Sequence, residues 1–259
     1  MKYVVFSFDD GRKDFYTNAL PILRKYNLLA TVNVISDFIG KQAPQGFLSS
    51  NNEFMTLDEI QESYKYGIEI GNHSKNHTND LNSIKSFTVK DTIIDGEGYG
   101  FASPGSYVYK KNFEKYTELL NNKNIIYIRS GRQVKRDGYF HAALYIICKK
   151  IKSPLLFWIY QKRNLINIRK EYLFYPSVAI DAFSSVFQIR YVIKKMKDDE
   201  AVIFMFHSIL KKSAKGYGKD KWFNDIEEFE ELCRFCASNS DVKVVTNKKL
   251  HELINKERR

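Results

Sequence analysis

The chain has 259 residues, 44% of them hydrophobic, and only five histidines and three cysteines. That length can bury a sizeable core in one α/β-barrel-sized domain or two small ones, and with no low-complexity tract, fixed-period repeat or linker the expectation is one domain over 1–259. Three cysteines (Cys148, Cys233, Cys236) exclude a disulfide framework. The formal charge of +11 is local, because Lys123–Lys170 holds twelve basic residues against Asp137 alone, which points to an anionic partner or surface.

The first apolar run, Tyr3–Phe8, reads as a strand buried on both faces and ends in Asp9-Asp10-Gly11. It leaves no room for a signal peptide, so a cytoplasmic location, with membrane association through the basic region, is expected. A helical pattern follows at Asp14–Tyr26, then a strand at Ala30–Ile35, a helix at Leu57–Tyr66 and a strand at Ile68–Gly71 that runs into Asn72-His73-Ser74-Lys75-Asn76-His77. Gly96–Gly100 reads as a flexible approach loop. Beyond it come a helix at Lys110–Asn121, a strand at Ile125–Ile128, a helix at Ser184–Lys197, a strand at Ala201–Phe206 ending in His207, a helix at Ile226–Ala237, a strand at Val242–Val245 and a helix at Asn247–Lys256. This alternation predicts βα units around a parallel sheet, whose chemistry gathers at the C-terminal ends of the strands.

Three strand ends then carry polar residues. Adjacent strand residues point to opposite sides, so Asp9 and Asp10 are expected to divide two tasks. Asp10-Gly11 alone reads as readily as a turn with a helix cap. His73 and His77, four apart, sit on one side of a helical turn, where with Asp10 they make a two-His, one-carboxylate metal site with open positions. Cys233 and Cys236 have CxxC spacing but lie on the apolar face of a helix and read as core. Asn72-His73-Ser74 and Asn76-His77-Thr78 fit glycosylation acceptors and read as coincidence.

Between residues 130 and 183 lies a basic, apolar insert. Its uncharged runs, GYFHAALYIIC from Gly138 and SPLLFWIYQ from Ser153, are too short to span a bilayer. They read either as helices packed on the barrel or as an interfacial pair on an anionic leaflet. No specific nucleic acid is expected as partner.

Ser7-Phe8-Asp9-Asp10-Gly11, His73-Ser74-Lys75-Asn76-His77 and the late Phe206-His207 together resemble the polysaccharide deacetylase family, the carbohydrate esterases built on the NodB homology domain. The resemblance implies a distorted (β/α) barrel of about seven strands and a metal-dependent N-deacetylase acting on an N-acetylated amino sugar, free or lipid-linked. It carries a catalytic base over to Asp9, metal ligands to Asp10, His73 and His77, and a general acid to His207. Zinc is the default ion for this set, with cobalt, nickel or iron also accepted. Two departures stand out. Ala102 occupies the place of the family's third-motif arginine in Phe101-Ala102-Ser103-Pro104-Gly105, which makes Arg129 a candidate holder of Asp9 and leaves the Pro104-Gly105 backbone as a candidate oxyanion donor. No clear fourth motif orients His207, for which Asp181 is the candidate. Rival readings are hydrolysis of another C–N bond, as in a formamide or ureido compound, and a non-catalytic binder of anionic glycan or lipid.

Overall fold

The computed structural model describes residues 1–47, 53–89, 98–106, 113–121, 124–131, 143, 146–147 and 150–256. Strand β1 (Lys2–Phe8) is buried on both faces because two apolar sets alternate along it. Val4, Phe6 and Phe8 pack with Phe15, Phe206 and Phe229, while Val5 packs on the other side with Ile203 and Val245. On one side of β1 stand β2 (Thr31–Val34), β3 (Glu69–Asn72), β4 (Tyr99–Ala102) and β5 (Ile125–Arg129), each parallel to its neighbour.

The other side of β1 is taken by β8 (Glu200–Phe206), parallel over its length, and then by the antiparallel β6 (Ile166–Asn167). The path β5-β4-β3-β2-β1-β8-β6 gives seven strands; β7 (Val178–Ala179) pairs with β8, β9 (Ser208–Leu210) and β10 (Phe223–Asp225) form a separate parallel pair, and β11 (Val242–Val244) pairs with the first half of β1. The sheet curls because Tyr175 links its far edges. Tyr175 N donates to Ile128 O, and its carbonyl accepts from Ser130 N, just before β7 joins β8. Residues 166–179, inside the stretch read as an insert, are therefore part of the barrel wall.

Helices α1 (Leu20–Lys25), α2 (Leu57–Tyr66), α3 (Leu81–Lys85), α4 (Phe113–Leu120), α5 (Pro154–Gln161), α6 (Val186–Lys195), α7 (Ile226–Ser238) and α8 (Asn247–Lys256) supply the connections. Local chemistry sets their ends. Thr56 and Glu59 form a reciprocal cap on α2, which stops at Gly67 in the left-handed region (φ 106°), and Ser185 with Gln188 does the same at the start of α6. A wide π turn over Phe15–Ala19 leads into α1, where a regular helix was expected from Asp14.

Tyr99 and Gly100, read from the sequence as a loop, belong to β4. A four-residue strand that includes a glycine carries too little alternation to be recognised. Residues 110–112 of the helix expected at Lys110–Asn121 lie outside the described residues, as does Cys148. Cys233 and Cys236 are free, buried core residues of α7. Asn72 is buried and donates through Nδ2 to Ile84 O, so its sequon is closed to glycosylation in the fold. No described helix is long and apolar enough to cross a membrane.

Candidate active site

β1 ends at Phe8, and pairing with β8 persists one residue further, through Asp9 N to Phe206 O. The chain then turns left-handed at Asp10 (φ 73°) and Gly11 (φ 71°). Gly11 is required twice over, since a Cβ there would lie 2.9 Å from Val34 Cγ1 and the positive φ is costly for any L residue. The sequence reading had Asp9 and Asp10 diverge by strand alternation. It is instead this turn that brings both carboxylates into one pocket with different partners.

Asp9 is buried, and its Oδ1 accepts from Arg129 Nη2 at 2.5 Å and from Asn33 Nδ2 at 3.0 Å. Asn33 reaches inward over Gly71, where a Cβ would lie 2.3 Å from the amide oxygen. Burial works against ionisation of Asp9, but Arg129, with His73 and His207 behind it, outweighs that penalty and holds the carboxyl below its ordinary range. Arg129, at the end of β5, is fully buried and also donates to Ser177 Oγ at 3.3 Å, while its Nε has no hydrogen-bond partner.

Asp10 is equally buried. Its Oδ2 accepts from Arg12 Nε and Nη2, both at 2.9 Å, so Oδ1 is the oxygen turned to the histidines: 3.5 Å from His73 Nε2 and 3.4 Å from His77 Nε2. Against the penalty of burial, Arg12 and then His73 hold Asp10 well below the usual carboxylate range. Arg12 Nη1 also donates to Ser208 Oγ at 2.9 Å, tying the first strand end to the segment after His207.

His73 and His77 are not on a helical turn, as their spacing predicted. They lie on a loop that follows β3, with Ser74 (φ 66°) and His77 (φ 62°) in the left-handed region, and this bend brings their rings to a centroid separation of 4.9 Å. Asn72 Oδ1 stabilises the bend by accepting from Ser74 N at 2.6 Å. His73 Nδ1 lies 2.8 Å from Ala102 O, so it carries the proton and Nε2 presents its lone pair toward Asp10 and His77. His77 packs edge-on against Phe47. Burial, then His73, pushes His77 down to about 4 and keeps it an unprotonated donor at neutral pH.

Asp10, His73 and His77 offer one oxygen and two nitrogens that all lie within 4.8 Å of one another. Bonds of about 2.1 Å to a tetrahedral ion place donors about 3.4 Å apart, which matches the separations from Asp10 Oδ1 to each histidine nitrogen. The residues present therefore fit a divalent ion.

His207, at the end of β8, stacks on Trp222 with centroids 4.6 Å apart. Its Nδ1 is buried without a hydrogen-bond partner. Asp181 does not orient it: that carboxylate accepts from Ser184 Oγ and Phe183 N and closes its own turn. Burial, followed by Arg12 among the opposing charges, pushes His207 down to about 4, so the ring is neutral at pH 7 rather than the imidazolium the sequence reading required. Pro104 and Gly105 turn the chain after β4, and Pro104 O accepts from Asn79 Nδ2 at 2.7 Å. Sequence reasoning missed Arg12, Asn33 and Trp222. An asparagine inside the apolar run Thr31–Val34 was the one legible signal among them.

Residues 1–97 match the family model described as polysaccharide deacetylase. The protein YxkH of Bacillus subtilis (strain 168), a polysaccharide deacetylase by name, is 32% identical over 96 residues, 37% of this chain and 30% of that protein. A poly-beta-1,6-N-acetyl-D-glucosamine N-deacetylase of Staphylococcus aureus (strain MSSA476) is 28% identical over 122 residues, 44% of this chain and 37% of that protein. The alignments thus span about a third of the length of these curated relatives. A family 4 acetyl xylan esterase from Clostridium thermocellum, solved with a cobalt ion, shares the fold at a TM-score of 0.50 and 18% identity, over 97% of this chain and 91% of that one. The stretch that carries Asp9, Asp10, His73 and His77 thus lies within the residues that match the polysaccharide deacetylase model, and the chain as a whole shares the fold of that acetyl xylan esterase.

Proposed function

We propose that this chain is a metal-dependent N-deacetylase that hydrolyses the acetamide of an N-acetylated amino sugar within a glycan, free or lipid-linked. One observation carries the reading: a two-histidine, one-carboxylate donor set stands beside a second carboxylate that a buried arginine keeps ionised. Asp10 Oδ1, His73 Nε2 and His77 Nε2 would hold the ion, with zinc the default and cobalt, nickel or iron compatible with the same donors. When bound, such an ion polarises the acetyl carbonyl and acidifies a water.

The chain's own residues do the rest. Asp9 is the general base. With Oδ1 engaged by Arg129 and Asn33, the proton of the attacking water goes to Oδ2. Arg129 and Asn33 fix the rotamer of Asp9, and Arg12 fixes that of Asp10, so the two carboxylates keep separate tasks. His207, packed against Trp222 with the ring planes tilted by 38°, delivers the proton to the departing amine, and because the ring is neutral at rest it takes that proton up from solvent water during turnover. The turn at Pro104-Gly105 remains the candidate backbone donor for the developing oxyanion.

The test is acetate release from N-acetylglucosamine oligomers, soluble and lipid-linked, by zinc-loaded protein beside an Asp9→Asn variant. We expect release by the parent alone, with equal zinc content in both. A parent that binds zinc and frees no acetate overturns the reading, and formate or ammonia released from formamide or ureido substrates replaces it.

A further inference from the structure

Five of the ten exposed large apolar side chains among the described residues fall within fourteen positions: Ile146, Ile147, Ile151, Leu155 and Ile159, between 39% and 64% exposed. They are not scattered. Leu155 and Ile159 are one turn apart on α5, opposite the face that buries Phe157 and Gln161, while Ile146, Ile147 and Ile151 are exposed in the helical residues before the chain breaks at Lys152 (φ 50°) and Ser153. Trp158 and Tyr160, half-buried, flank this row.

Charge surrounds it. Residues 138–170 contain seven Lys/Arg and no Asp or Glu. Lys150, Lys152 and Lys162 are exposed, and Lys162 lies three residues beyond Ile159. Across the helix layer, Glu228 of α7 is close enough to feel Lys152 and offsets part of its charge, so Lys150 and Lys162 keep the face cationic.

We propose that this face docks on an anionic lipid bilayer, with the aliphatic row entering the interface and the lysines meeting the headgroups. Aliphatic side chains ringed by cations, with no described helix long and apolar enough to span, match what an interfacial helix presents. A second copy of the chain fits less well, because a two-fold contact centred on α5 sets Lys150, Lys152 and Lys162 against themselves. Nucleic acid fits less well too, since the exposed side chains are isoleucine and leucine, which offer no surface for base stacking, while Trp158 and Tyr160 are half-buried. The proposal is independent of the metal site.

The experiment is vesicle co-sedimentation of the full chain with pure phosphatidylcholine and with phosphatidylcholine–phosphatidylglycerol mixtures, at low and high salt, together with analytical ultracentrifugation. We expect binding to the anionic vesicles only, weakened by salt. Replacing Ile151, Leu155 and Ile159 together by serine is expected to lower the partition coefficient by about tenfold or more. Lys150→Gln with Lys162→Gln is expected to lower it at least about fivefold. Both variants are checked for an unchanged circular dichroism spectrum, and Lys249→Gln, on α8, serves as a variant expected to bind like the parent. No binding to anionic vesicles, binding unaffected by the serine variant, or a stable dimer lost in that variant would each overturn the proposal.

Discussion

Replacing Arg129 by methionine removes the arginine that, among the described residues, pairs directly with Asp9, while largely filling its space. Arg129 is fully buried and Asp9 nearly so, and their contact is 2.5 Å. Removing one partner of such a pair leaves a buried charge, at a cost of ~3–5 kcal/mol. The cost depends on pH, and its sign can be worked out. In the parent, Arg129 outweighs burial and Asp9 lies below its ordinary range, so its contribution is present at neutral pH and fades as pH falls through the acid range. In the variant the burial penalty dominates and raises the carboxyl above its unfolded value. Stability then declines as pH rises through the interval between those values, by up to about 1.4 kcal/mol per pH unit. Urea unfolding at pH 5 and pH 8 measures this, with Asp9→Asn and the double variant completing a cycle. The double variant is expected to regain most of what Arg129→Met loses at pH 8. A loss under about 1 kcal/mol at both pH values, or no recovery in the double variant, would refute the electrostatic account of this pair.

Other consequences follow from the same geometry. Because Arg12 selects the oxygen that Asp10 turns to the histidines, Arg12→Met is expected to weaken zinc binding by about 10–100-fold in titration calorimetry, even though it removes a positive charge from the site; tighter binding would show that its charge matters more than its positioning. His207 is held neutral in the fold, so in the metal-free protein it is expected to contribute on the order of 2 kcal/mol to the stability lost between pH 7 and pH 5, where the unfolded ring takes up a proton that the folded one refuses, and His207→Gln will remove that part of the loss from a thermal or urea profile while the similar part due to His77 stays. Gly11→Ala sets a Cβ against Val34 at a left-handed residue and is expected to cost at least about 1–3 kcal/mol by chemical denaturation, with loss of zinc binding as the adjoining Asp10 shifts.

Legibility in the sequence followed the range over which the physics acts. The long strands β1 and β8 announced themselves because seven-residue runs buried on both faces must be apolar throughout, and the amphipathic helices because one face of each meets the sheet. Short wall strands such as Ile166–Asn167 and Val178–Ala179 were hidden, since two residues have no period. The same split runs through the site. Asp9, Asp10, His73, His77 and His207 could be nominated because unusual polar residues end apolar strands. Of what holds them, only Arg129 was nominated, through the family resemblance, 120 residues from the carboxylate it binds; Arg12, which meets Ser208 across 196 residues, and Trp222, which packs on His207, were not.

The sequence by itself determined the parallel βα order and the donor types, because periodicity and residue chemistry are local properties, and the barrel was implied by the family resemblance. Only the tertiary structure decided that a left-handed turn, not strand alternation, separates the tasks of Asp9 and Asp10, and that a loop, not a helix, pairs His73 with His77. Only the tertiary structure, too, left His207 Nδ1 without a hydrogen-bond partner and the ring neutral. Those features depend on burial and on charges set side by side by closure of the sheet, and neither exists until the distant segments have met.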